Sequence, residues 1–340
     1  MLSSLFFMAG CSILSSLTGD PSKQIADAEA KMKAGDLAGA AAIYDEALKK
    51  SPTNLDVASG AAYLKLLQGN TQAADQILAA TEGTAGEKLA EVKMRRALVA
   101  MRTGDLDQVK AHAAAAGTPL GKLLAAEVNL ADGDRDAAKA LLEEVKAAGG
   151  PAGDTASAYL DLMNDSNPLV AGLSEAQALW ALGQRPIAVR SVEDLVKAYA
   201  GAREDGAEQL LVWAGRAVSV GEPGIAENLL DAIPVAPPGQ VWRVQATRAM
   251  IACAGGDGDA GLAGFDRIVT ISPADGYADA RATAAILIAD RDAETARKLL
   301  EGQSTDAAAR AWAILGDPGT AGTVAMDPVF KAQFTATAGG

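Results

Sequence analysis

A glycine followed by an acidic or amide residue recurs along this chain at the spacing of a helical hairpin. The breaks are Gly35-Asp36, Gly69-Asn70, Gly104-Asp105, Gly133-Asp134, Gly183-Gln184, Gly221-Glu222 and Gly256-Asp257, and the first three intervals are 34, 35 and 29 residues. Each break reads as one helix ending and another starting. Glycine tolerates the positive φ that closes a helix, and the acid or amide after it caps or charges the first turn of the next. Four or five residues past most of these glycines stands a small residue: Ala40, Ala74, Ala138, Ala188, Ala226 and Gly261. Larger apolar residues follow one turn on, at Tyr44, Leu78, Leu142, Val192, Leu230 and Phe265. A small side chain is what fits where a second helix crosses the first. One such pair cannot bury its apolar face alone, so a periodic chain of them must stack.

Composition agrees. Hydrophobic residues make up 49% of the chain but aromatics only 4%, which suits closely approaching helices better than a β-sandwich. The 43 acidic and 30 basic residues leave a formal charge of −13. A surface this acidic repels phosphate backbones, so nucleic acid is not expected as a partner, and the charge reads as a solubility feature.

The stretch Pro21–Asn54 carries Ala28, Ala40 and Ala47, the Gly35-Asp36 break, Tyr44 and a closing Ser51-Pro52. It resembles a tetratricopeptide repeat, a helix–turn–helix unit of about 34 residues. The resemblance extends over roughly 21–315 as about eight helix pairs and implies an all-α fold, a right-handed α-solenoid. The expected division is a leader and tether at 1–20, repeats one to four at 21–148, and an irregular insert at 149–168 with a short helix, Thr155–Asn164. Repeats five to eight and the start of a capping helix follow at 169–315, then a weakly structured tail at 316–340. A proline-rich junction lies at Ala232–Gly239. The eighth break, Asp290-Arg291, lacks glycine, although Ala296 and Leu299-Leu300 keep the spacing.

Met1–Gly19 contains no charged side chain, and Leu5-Phe6-Phe7-Met8-Ala9-Gly10-Cys11 ends in small residues before a cysteine. It resembles the lipobox of a bacterial lipoprotein, although no Lys or Arg precedes the apolar run. The resemblance implies lipidation of Cys11, a tether to the membrane, and a place on the periplasmic side of the envelope, at the outer membrane. A signal-anchor helix or a buried helix capping the stack are the alternatives.

Catalytic and metal motifs are mostly missing. A single histidine, His112, rules out histidine-based zinc clusters and reads as a surface or interhelix residue. Gly117–Leu123 fails as a phosphate loop because its glycines are one residue too close and Leu123 stands where Ser or Thr would hold magnesium. Asp132-Gly133-Asp134-Arg135-Asp136 with Glu143 has the acid spacing of a calcium loop, but Ala137 replaces the glycine of its sharp turn, and the repeat register makes Ala137–Glu143 helical. No metal, no cofactor and no enzymatic activity are expected. Cys253, within Met250–Ala254, reads as a small buried hydrophobe. Lys93-Met94-Arg95-Arg96, Arg291 and Arg297 read as solvated helix faces. Lys33 and Arg102 share one register position of the clamp with which some tetratricopeptide domains hold peptide carboxylates, but its Asn partners are missing.

The functional expectation is therefore a monomeric binding module, a scaffold for a protein or peptide partner within envelope complexes; the alternative is a self-assembling structural solenoid. In the repeat resemblance the first helix of each pair lines the groove. Its twelfth position holds Met32, Leu66, Met101 and Leu130, its fifth Ile25, Ser59, Met94 and Leu123, and its ninth Tyr63 and Leu98. The candidate partner-binding residues are Tyr63, Leu66, Met94, Leu98, Met101 and Leu130. The competing reading is that these residues fill space between neighbouring first helices.

Overall fold

The computed structural model describes residues 20–303 and a few further residues up to 315. The described residues are helical, with no β-strand among them, and they divide into two compact units that meet in sequence at Thr103 and Gly104. The first holds α1 (Pro21–Lys33), α2 (Leu37–Lys50), α3 (Leu55–Leu67), α4 (Thr71–Ala79) and α5 (Leu89–Thr103). The second holds α6 (Leu106–Ala116), α7 (Pro119–Ala131), α8 (Arg135–Ala148), α9 (Gly150–Met163), α10 (Pro168–Ala181) and α11 (Arg185–Ala198). It continues with α12 (Ala207–Ser219), α13 (Pro223–Asp231), α14 (Val241–Ala254), α15 (Gly258–Asp266), α16 (Ala274–Ile288) and α17 (Ala293–Leu300). The unit boundary falls inside the third expected repeat.

The turns follow from the glycine breaks. All seven glycines have positive φ, between 72° and 91°, a region that costs a side-chain-bearing residue energy. Asp36, Asn70, Asp105, Asp134 and Asp257 each accept a hydrogen bond from the backbone N–H three residues on, at 2.8 to 3.1 Å. Such a cap contributes about 1 kcal/mol. Gln184 and Glu222 make no cap bond, and there Pro186 and Pro223 stand in the first turn instead, where a missing N–H costs nothing. In the glycine-free break the cap is Asp292, which accepts from Thr295 N at 2.9 Å.

Packing in each unit repeats one arrangement. In the first unit α1 lies against α2 and α3 against α4, with α5 on α4; in the second, α7 lies against α8, α10 against α11, α12 against α13, α14 against α15 and α16 against α17. This is the layering of an α-solenoid. Ala40, Ala74, Ala138, Ala188 and Ala226 are completely buried at the crossings, and at Gly261 an added Cβ would collide with Cys253 Sγ. The larger residues one turn on, from Tyr44 to Phe265, are buried as well. First helices also pack on one another, α10 on α7, α12 on α14 and α14 on α16. An apolar core runs continuously from Leu169 on α10 to Leu300 on α17.

Two expectations are corrected. The insert helix starts at Gly150, five residues before Thr155, and α9 spans fourteen residues. Pro151 occupies the first turn, and Gly153 is buried where a Cβ would press on the carbonyl oxygens of Val145 and Lys146; these residues serve close helix contact as well as turning. Arg135 then holds α9 to its neighbours, reaching Met163 O on one side and Ser174 Oγ and Glu175 Oε1 on the other. The second correction is the Lys93–Arg96 run, which is not solvated. Arg95 is only 1% exposed and pairs with Glu91. Arg96 forks onto both oxygens of Asp75 at 2.6 and 2.8 Å and also meets Glu82, which Lys93 reaches at 2.6 Å. The charges bind α5 to α4 and the turn between them.

Candidate functional site

The sequence-derived groove residues are mostly interior. Tyr63, Leu66, Met94, Leu98 and Leu130 are buried, and Met101 is half-buried. Burial to this degree favours the space-filling reading in the structure as it stands. Cys11 lies outside the described residues. Asp134 is engaged as a helix cap and Ala137–Glu143 lies inside α8, so the calcium-loop geometry is not formed. Among the described residues no cluster of three or more His, Cys, Asp or Glu is placed to hold a metal, and no helix is long and apolar enough to cross a membrane.

The chemistry concentrates one pair further along the same rows. Tyr63 and Leu98 stand six residues before their turn glycines, and the same place is taken by Glu127 on α7 and Gln177 on α10. Leu66, Met101 and Leu130 stand three residues before theirs, and that place on α10 is Trp180. At these two places α7 carries Glu127 and Leu130, and α10 carries Gln177 and Trp180.

These side chains form a connected network. The Tyr159 hydroxyl, from α9, donates to Glu127 Oε1 at 3.1 Å, and the Gln177 side chain hydrogen-bonds to the same hydroxyl. Gln177 Oε1 accepts from Arg216 Nη1, on α12, at 2.7 Å. The Arg216 guanidinium lies over the faces of both Trp213 and Trp180, at 4.4 and 5.0 Å from their centroids, and the two indoles meet edge to face at 5.8 Å. Arg185, at the start of α11, covers Trp180 at 5.3 Å. Each cation–π contact contributes about 0.5–2 kcal/mol depending on desolvation.

Burial sets the electrostatics. Glu127 and Tyr159 are buried, and desolvation pushes the Glu127 carboxyl up to about 7 although the Tyr159 bond pulls the other way. The Tyr159 hydroxyl is raised by burial and by the carboxylate beside it. Burial also holds Arg216 below the usual arginine range, and the like charge of Arg185 adds to that. Buried carboxyls with raised pKa mark functional sites often enough to test for one. Here the carboxyl is buried and joined to Tyr159 on α9, which in turn meets Gln177 on α10. Gln177, Trp180 and Arg216 are half-exposed and Arg185 is exposed.

Sequence reasoning missed this network because its members Glu127, Tyr159, Gln177 and Arg216 lie on four different helices. A signal was present: Glu127, Gln177 and Arg216 each stand within an otherwise small or apolar stretch, as in Ala176-Gln177-Ala178 and Gly215-Arg216-Ala217. Lone polar residues in such a setting need partners from another helix.

No curated protein matches the chain. Among solved structures, a tetratricopeptide repeat protein from Parabacteroides merdae ATCC 43184 matches at 12% identity over 78% of this chain and 98% of its own, with a TM-score of 0.40. The TPR2AB domain of yeast Sti1, solved in complex with pHSP90, matches at 14% identity over 93% and 98%, with a TM-score of 0.27. The TPR domain of P58(IPK) matches at 15% identity over 90% and 98%, with a TM-score of 0.25. Residues 31–99, from the end of α1 through most of α5, match the tetratricopeptide repeat family model, and the same glycine-turn register continues beyond them to Gly256.

Proposed function

We propose that this chain is a non-enzymatic scaffold that holds a protein partner, tethered by a lipid on Cys11 to the periplasmic side of the bacterial envelope at the outer membrane. The observation that carries the binding role is the repeated helix pair itself. Each pair uses its second helix to bury the small-residue crossing, which leaves Gln177, Trp180 and Arg216 half-exposed on the first helices α10 and α12. Indole and guanidinium groups are the side chains that carry most binding energy at protein interfaces. The reactive groups argue the same way. Burial pushes the Cys253 thiol up to about 11, so it is not a thiolate at neutral pH, and the Glu127 carboxyl is sealed from substrate.

The test is affinity capture from envelope extract with the full chain, followed by reconstitution of the retained protein with purified chain. A partner that rebinds stoichiometrically supports the scaffold; a chain that retains nothing reproducibly contradicts it. Light scattering at micromolar concentration should report a monomer, whereas a concentration-dependent rise in mass would favour self-assembly. The tether is tested by mass spectrometry of protein taken from its native membrane: a diacylated Cys11 terminus is expected, and an unmodified Met1 removes the anchor.

A further inference from the structure

The hydrogen bonds that join α12 to α7 all point one way. The Arg216 guanidinium can only donate, so the atom it meets at 2.7 Å is the Gln177 carbonyl oxygen, and this turns the Gln177 NH2 toward Tyr159. The Tyr159 hydroxyl accepts from Gln177 and donates to Glu127 Oε1 at 3.1 Å. Each link fixes the polarity of the next, from a cation on α12 to a carboxyl on α7. That carboxyl is 7% exposed, and among the described residues only Tyr159 hydrogen-bonds to it. The helices α6, α8, α9 and α10 pack on α7. Of their titratable groups Tyr159 alone acts on the carboxyl, together with burial. On α6 Asp107 and Lys110 are exposed and His112 is half-buried; on α9 Asp154 and Asp161 are exposed. On α8 Arg135 pairs with Glu175 of α10 and the other charges are exposed, and Lys122 of α7 itself pairs with Glu144. A buried carboxyl held by one neutral donor and no cation is poised to exchange a proton, because its charged form is poorly compensated.

We propose that these four side chains are a proton-operated relay, in which the charge state of Glu127 is passed through Tyr159 and Gln177 to Arg216 and the two indoles it covers, Trp180 and Trp213. With Glu127 ionised, the relay runs from cation to anion. Its end bonds are charge-assisted and polarise the one between them, so the guanidinium is held to Gln177. With Glu127 protonated, the carboxyl is a weaker acceptor, the relay relaxes, and the guanidinium rests more on the indole faces. The step moves one proton between solvent and a Glu127 oxygen and changes no other bond. Burial brings the change near neutrality, at about 7. The device goes beyond the scaffold reading and operates in the chain alone. It makes the half-exposed surface of Gln177, Trp180 and Arg216 responsive to pH.

The full chain is titrated by NMR from about pH 5.5 to about 8.5, following the Glu127 carboxyl carbon and the Nε1–H signals of Trp180 and Trp213. All three should shift through one shared midpoint near 7. In Glu127→Gln the two indoles should no longer titrate there. In Tyr159→Phe the Glu127 carboxyl should still titrate, and the indoles should not follow it. Indoles that stay flat while Glu127 titrates in the unaltered chain overturn the proposal without need of any variant, as does a Glu127 carboxyl that titrates at the ordinary value of 4.5. Indoles that titrate in Glu127→Gln as before overturn it by placing the sensor elsewhere, at the single histidine His112 first. Indoles that still follow Glu127 in Tyr159→Phe overturn the route through Tyr159, and the relay with it. None of these measurements uses a partner, so the scaffold reading stands or falls separately.

Discussion

Replacing Glu127 by glutamine should stabilise the second unit, and only above a defined pH. The folded carboxyl titrates at about 7 against an ordinary value of 4.5 because it is buried between α7 and α9. Between those values the native state binds more protons than the unfolded chain, so this group's contribution falls as pH rises from about 4.5 to about 7 and is flat on either side. At about 1.4 kcal/mol per pH unit, the burial costs roughly 3 kcal/mol once the carboxyl is ionised. Glutamine keeps a carbonyl for the Tyr159 hydroxyl and carries no charge. The assay is urea unfolding of both proteins at pH 4.5, 6 and 8, read by helicity and by exchange of amides in α7 and α9, since a stack of pairs need not unfold in one step. The two proteins should be alike at pH 4.5, with the variant ahead by about 2–3 kcal/mol at pH 8. A pH-independent difference, or a wild type that is the more stable at pH 8, refutes the reasoning.

Gly60→Ala should destabilise the first unit by about 1–2 kcal/mol, because its Cβ would collide with the Tyr44 ring, whereas Gly215→Ala meets nothing within 4 Å and should stabilise by up to about 1 kcal/mol; thermal melts of both variants decide it. Arg96→Gln removes the fork onto Asp75 and the contact with Glu82, and the urea midpoint of the first unit should fall by the equivalent of about 1–3 kcal/mol. Arg281 donates to the carbonyls of Lys298 and Leu299 at 2.6 and 2.7 Å, so Arg281→Met should speed amide exchange in α17 at least several-fold while leaving α10 unchanged.

Much of the fold is legible in the sequence because its signals are local. Gly35, Gly133 and Gly256 announce their turns because positive φ is a property of a single residue, and Asp36 or Asp257 announces a helix start because its cap partner lies three residues away. Ala40, Ala188 and Phe265 reveal the crossing because the register repeats. The start of α9 is not legible, since Gly149-Gly150-Pro151-Ala152-Gly153 has the composition of a turn, and the contact of Gly153 with the α8 backbone that suits glycine there is not local in sequence pattern. Arg95 and Arg96 read as solvent-facing because their partners, Glu91 apart, lie on other elements. The Glu127–Tyr159–Gln177–Arg216 network joins four helices across separations of up to 89 residues, a distance over which no local pattern carries information.

Hydrogen exchange of the full chain, alone and bound to its reconstituted partner, tests the central claim that first helices present the binding face. The account predicts protection in Pro168–Ala181 and Ala207–Ser219, the helices α10 and α12, with α11 and α13 unchanged. Protection confined to α11 and α13 would contradict it.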